Sequence, residues 1–451
     1  MRRTLACIGA IFAISACSKG PVTATVTKTT GGMLPSERAE TLTPTPTPTP
    51  APTSTSTPSP TPGPSLEELI GTPNALAAAA NLDAASVQFK SLTDLYTNRA
   101  EPWMGLAGLA LRQGDTASAL DYLREAVEAE PTNLDAYRQL ALLQEQLGLY
   151  ENAARTYGTM LHQRPNDPDI LVARATANAR LGFAEDAIRD LEAAQAVDPY
   201  RQYAWLNIAA ASAGGRFYEA AAQIADVGLE ANPDMVSLQV ERGLALLALD
   251  QQAEALDAFS TAIRLDSNNT RAYHWRGRVL AAMGQSDKAI SDFKRAGELG
   301  IQEGIEGTSE GYEAMADAAD LLAQSGKVDD AFAYLAQQVI HYGSQDALLM
   351  GYARIDYRRG NTQSALGRLT PLVRDGFVPA LYWRGVINQA AGNREDAIRD
   401  LTSFLQVRRS GPDVEAARRA LNDLGVDPDS IISPTPTPTP LVNPAEDDGG
   451  D

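Results

Sequence analysis

A step of 34 residues dominates this chain. Pro131, Pro165, Pro199 and Pro233 stand 34 residues apart, and Ala119, Ala153, Ala187, Ala221, Ala255 and Ala289 keep the same step. A third series of small residues, Ala107, Ala141, Ala175, Ala209, Gly243 and Gly277, lies twelve positions before each alanine. Three registers with one period point to a repeat array, and this length suits a helix–turn–helix unit. In such an array each unit packs only on its neighbours, so 451 residues need no single large core.

The unit over 236–269 shows what repeats. Apolar residues at helical spacing predict one helix over 236–249 and a second over 253–265, with Leu256, Phe259 and Ile263 on the inner face of the second. Gly114, Gly148, Gly182 and Gly284 divide the two helices in four units, and Asp250 does so here. Gly215 lies one place out of step. Glycine suits the left-handed end of a helix, and the proline series ends each second helix because proline cannot continue its hydrogen bonding.

With these positions assigned, the units resemble tetratricopeptide repeats. That family has a large residue early in the first helix, as at Trp103, Tyr137, Trp205 and Tyr273, and a small one four later. It has alanine in the second helix, met by the Ala119-to-Ala289 series. A bulky residue follows four later, met by Leu123, Tyr157, Leu191, Phe259 and Phe293, with Ala225 departing. The resemblance implies an all-α, right-handed superhelical solenoid that binds peptides along a concave face lined by the first helices. Pentatricopeptide repeats have a similar length but bind RNA and are typically basic; this chain carries a net charge of −19. That charge excludes nucleic acid as a partner on electrostatic grounds.

The six regular units cover 100–301. The register then slips: Ala289 and Ala331 are 42 residues apart, and the extra residues fall in a stretch with Gly300, Gly304, Gly307 and Gly311. A glycine-rich join is expected over 302–311. Ala331, Ala365 and Ala397 then resume the period, which places three further units in 312–411 and makes about nine in all. A degenerate helical cap is expected over 65–99 and a capping helix over 412–426.

The ends read differently. Arg2 and Arg3 precede a short apolar run, the pattern of a secretory signal over 1–16. Ile14-Ser15-Ala16-Cys17 resembles the bacterial lipobox, which implies lipid attachment at Cys17 and a membrane anchor on the cell envelope. Residues 17–64 form a linker rich in Pro, Thr and Ser, with Thr43-Pro44-Thr45-Pro46 at its repetitive core, and composition of this kind predicts disorder. Residues 427–451 are expected to form a similar Pro/Thr and acidic tail.

No catalytic motif is present. His162, His274 and His341 lack metal-ligand spacing, and no phosphate-binding loop or nucleophile elbow appears, so the expectation is no catalytic residue, no cofactor and no metal. Specificity is expected instead at first-helix positions that do not repeat. Arg271, His274 and Arg278 share one helix face, as do Met350, Arg354 and Tyr357, and Tyr382 follows one unit later. Arg271, His274, Arg278, Arg354, Tyr357 and Tyr382 are therefore the candidate groove, with cations and aromatics suited to an acidic or C-terminal peptide. An alternative is an envelope polysaccharide stacked on Trp275, Tyr357 and Tyr382. The layout, a lipobox followed by the repeat array, also resembles lipoproteins that serve pilus or outer-membrane protein assembly, which implies an assembly factor as a further alternative.

Overall fold

The computed structural model describes residues 65–302 and 309–431. The signal, Cys17, the Pro/Thr-rich linker and the acidic tail lie outside the described residues, as do 303–308 in the expected join.

Every described element is helical. A first pair, α1 (Leu66–Ala78) and α2 (Leu82–Leu95), precedes the regular units. Units one to three are α3 (Glu101–Gln113) with α4 (Thr116–Ala129), α5 (Leu134–Gln146) with α6 (Tyr150–Gln163), and α7 (Pro168–Arg180) with α8 (Ala184–Val197). Units four to six are α9 (Tyr203–Gly214) with α10 (Tyr218–Ala231), α11 (Val236–Ala248) with α12 (Gln252–Leu265), and α13 (Thr270–Ala282) with α14 (Ser286–Gln302). Units seven to nine are α15 (Ser309–Gln324) with α16 (Val328–Tyr342), α17 (Asp346–Arg358) with α18 (Thr362–Arg374), and α19 (Val378–Ala390) with α20 (Arg394–Val407). α21 (Pro412–Asp423) and the short α22 (Pro428–Ile431) follow. The described residues thus hold the expected nine helix pairs of an all-α solenoid.

The periodic residues are the packing residues. The six alanines of the 34-residue series, Ala119 to Ala289, and again Ala331, Ala365 and Ala397, are buried. In units five, six and nine the small residue of the first helix receives the bulky side chain of the second. A methyl group at Gly243 would lie 2.7 Å from the Phe259 ring, and one at Gly277 equally close to Phe293. Helix axes approach to about 8–10 Å only where such small residues leave room.

The turn between the helices of a unit also keeps the period, with one correction to the sequence reading. Gly215 is not the turn residue of unit four. Its φ is −82°, and the left-handed position passes to Arg216, at φ +67°. Arg216 thereby stands in step with Gly182 and Gly284, and Asp250 occupies the same place in unit five at φ +62°.

The slip after Ala289 is absorbed largely by longer helices. α14 has 17 residues and α15 has 16, against 14 and 13 for their counterparts α12 and α11. Gly300 and Gly311 sit inside these two helices, where a methyl group on Gly311 would lie 3.2 Å from the Gly300 Cα. Two of the four glycines read as a join therefore serve close helix packing.

A further periodic device was not read from the sequence. Arg174, Arg276 and Arg384 each grip the buried aspartate sixteen residues on, Asp190, Asp292 and Asp400, through paired hydrogen bonds of 2.6–2.8 Å. Each pair joins the two helices of one unit, and the fork geometry fixes their relative rotation.

Ala255→Leu should overfill the α11–α12 crossing and lower stability by about 1–3 kcal/mol, read as a lower denaturant midpoint.

Candidate binding groove

Five of the six candidate groove residues come together. Arg271, His274, Arg278, Arg354 and Tyr382 line one cavity of about 440 Å³. Its walls include residues of the first helices of six successive units, from Ala210 on α9 through Glu241, Trp275, Asp317 and Met350 to Trp383 on α19. Phe404 and the start of α21 complete it. Tyr357 is the exception. It packs against the core around Leu369 and Ile387, with the Arg358 guanidinium over its ring, and does not line the cavity.

The sequence suggested cations open to an acidic peptide, but these groups are already paired. Each meets a carboxylate of the chain itself. Arg271 of α13 pairs with Glu241 of α11 at 2.7 Å. Arg354 donates to Asp317 at 2.5 Å and to Asp320 at 2.7 Å, while Arg358 also reaches Asp320. Arg278 pairs with Asp413 of α21. Two of these guanidiniums also cover aromatic faces: Arg278 lies 4.4 Å from the Trp275 ring centre and Arg354 lies 4.0 Å from that of Trp383.

His274 is the central group of this network. It is buried at 2% exposure, with Nδ1 2.8 Å from Glu310 and Nε2 2.9 Å from Asp317. Burial alone would favour the neutral ring. The hydrogen bonds to Asp317 and Glu310 outweigh it and push the pKa up to about 9. An imidazolium donates from both nitrogens, which is what two flanking carboxylates require. Burial would raise the Asp317 pKa, but Arg354 and His274 hold the carboxyl well below its usual range. Among the described residues no group of three His, Cys, Asp or Glu side chains is placed to hold a metal ion.

Two buried donors on the cavity walls, Trp275 Nε1 and Arg354 Nε, have no hydrogen-bond partner among the described residues. The aromatic lining is completed by Tyr382, whose ring meets Trp383 and Phe404 at 5.6 and 5.5 Å between centres. Trp383, Phe404 and Asp413 were not among the sequence candidates. Trp383 adjoins Tyr382, so the helical pattern could have suggested it. Asp413 reaches Arg278 across 135 residues, and no local pattern signals that contact.

Family models described as tetratricopeptide repeat match residues 74–133, 110–177 and 258–291. Among curated relatives, DnaJ homolog subfamily C member 3 of Gallus gallus is 37% identical over 109 residues, which are 24% of this chain and 19% of that protein. BBSome complex member BBS4 of Bos taurus is 24% identical over 206 residues, 46% of this chain and 40% of that one. The chain thus spans well under half the length of these relatives. Among solved structures, a tetratricopeptide repeat protein from Parabacteroides merdae ATCC 43184 aligns over 52% of this chain and 93% of its own, at 22% identity and a TM-score of 0.33.

The charged network predicts a pH profile. The His274 pKa is raised, so its contribution to stability is fully present below pH 6.5 and is lost as pH rises through about 9. The lowered Glu310 and Asp317 values act at the other end, where their contribution is lost as pH falls through the carboxylate range. Thermal melts should therefore show the network's full contribution at roughly pH 5–6.5 and a decline toward pH 9.5, which His274→Gln should flatten.

Proposed function

We propose that this chain, which carries tetratricopeptide repeats, is a non-enzymatic scaffold that binds a protein partner along the inner face of units four to nine. The observation that carries the reading is the cavity itself. The first helices of six successive units contribute to it, and the residues they bring there are the ones that do not repeat. Residues conserved in step along the array are spent on helix packing, so the irregular inner-face residues are what can distinguish one partner from another. A mix of aromatic rings and paired charges around a concave site suits a peptide segment better than a polysaccharide. The Trp275 and Trp383 faces that a sugar would stack on are already covered by Arg278 and Arg354.

The second part of the proposal concerns address. The Ile14-Ser15-Ala16-Cys17 pattern supports export and lipid attachment at Cys17, which would tether the scaffold to the cell envelope. No helix of the described residues is long and apolar enough to cross a membrane. An anchored scaffold of this kind would serve as an adaptor or assembly factor at the membrane surface.

Two measurements test these statements. A photo-crosslinking amino acid placed at Arg271, exposed on the cavity rim, should form a discrete protein adduct in the native envelope. The same group at Glu192, exposed on α8, should not. Equal labelling at both sites would remove the groove from the proposal. For the anchor, mass spectrometry of the mature N-terminus should find a diacylglyceryl group on Cys17; an N-terminal Cys17 with a free thiol would refute it.

A further inference from the structure

The array closes on itself. α21 lies after unit nine, yet its first turn reaches back to unit four. Arg216 Nε and Nη2 donate to the two carboxylate oxygens of Glu415 at 2.8 and 3.1 Å, across 199 residues of sequence. The Tyr218 hydroxyl donates to Glu415 Oε1 at 3.0 Å and accepts from the Gly411 N–H at 3.1 Å. Asp413, two residues before Glu415, pairs with Arg278 of unit six. Two carboxylates spaced i, i+2 are thus read by Arg216 and Tyr218 at the turn of unit four and Arg278 of unit six.

The residue that grips Glu415 is held in an unfavourable backbone conformation. Arg216 sits at φ +67°, in step with glycines at the same turn of other units. A side chain there costs stability that glycine would not. The turn imposes this φ, as it does on Asp250 in unit five, and Arg216 is half-buried with its guanidinium committed to Glu415. The strain therefore coincides with the contact that ties the end of the array to its middle. α21 itself is seated on α20 through Val414, Ala417 and Leu421 against Leu401, Phe404 and Leu405, so it keeps its own apolar support without this contact. The carboxylate seam adds closure to a cap that is already packed.

We propose that Arg216, Tyr218 and Arg278 form a recognition site for an acidic segment of a partner protein, and that the Asp413–Glu415 turn of α21 is its intramolecular occupant. The inference rests on the reading of the inner face as a protein-binding surface and adds the partner's chemistry and its control. A partner must carry two carboxylates close in sequence, and it enters by replacing those of α21. Tyr218, Arg278 and Asp413 also line the cavity, so a partner that replaces the α21 carboxylates lies beside its aromatic walls. Charge pairs of this half-buried kind weaken with salt, which allows exchange between the two carboxylate sources.

The test uses the full chain and a labelled synthetic peptide of residues 411–424. The host Asp413→Asn with Glu415→Gln removes both internal carboxylates and leaves the three site residues in place. The peptide should bind this host at least about tenfold more tightly than the parent. Adding Arg278→Ala should abolish the gain, and a peptide with Asn at position 413 and Gln at position 415 should not bind. Equal affinity for both hosts, binding indifferent to Arg278, or no binding to either host overturns the proposal. Arg216→Gly guards against a fold artefact. Glycine relieves the positive φ, so the unfolding midpoint should not fall, while amide exchange across 412–423 should accelerate. Unchanged exchange there would also overturn it. Crosslinking from position 271 is a separate measurement, so the scaffold reading can survive if the acidic-segment site does not.

Discussion

Close approach of helices at small residues is the constraint on which the rest of this structure depends. The buried alanines of the second helices and the Ala or Gly series of the first leave room for one helix to settle against the next. The bulky residue four after each alanine then fills the gap, as Phe259 does over Gly243. Because the same contact recurs every unit, each helix pair is set at a similar angle to the one before, and a curved array follows. The Arg–Asp pairs sixteen residues apart add directional fixing to contacts that are otherwise non-directional.

Curvature brings distant residues to one side. The first helices of units four to nine share an inner face, and their charged side chains meet there rather than in solvent. α15 contributes Glu310, Asp317 and Asp320, while α13 and α17 contribute His274, Arg354 and Arg358. Half-buried charge must be matched, and the pairing is nearly complete among the groups that line the cavity. The cavity is consequently a site of balanced charge with aromatic walls, not a cationic groove on an acidic protein. A ligand there has to compete with existing partners or use the donors left over on Trp275 and Arg354.

Closure is a separate event from stacking. Units pack by apolar contacts between neighbours, whereas α21 meets units four and six through Arg216, Tyr218 and Arg278. These interactions are polar, few and longer in sequence range than anything in the repeats. The left-handed Arg216, like Asp250 one unit on, shows that the fold tolerates local backbone strain at its turns. A joint of that character can open without dismantling the cores on either side of it.

Much of this was legible in the sequence. The period of 34, the buried alanines, the small first-helix residues and the turn glycines all depend on local spacing. A helix pair of fixed length forces each such residue to the same place in every unit. Five groove residues were also found by following the helical face of units six to nine. The sequence by itself therefore determined the nine helix pairs, which residues pack them, and which face carries the irregular side chains. Only the tertiary structure decided what those side chains do. It turned Tyr357 into the core, moved the left-handed turn from Gly215 to Arg216, absorbed two of the join glycines into helices and filled the cations of the groove with the chain's own carboxylates. Those outcomes depend on the accumulated curvature of many units, which sets residues as far apart as Arg216 and Glu415 side by side, and no short-range pattern encodes that sum.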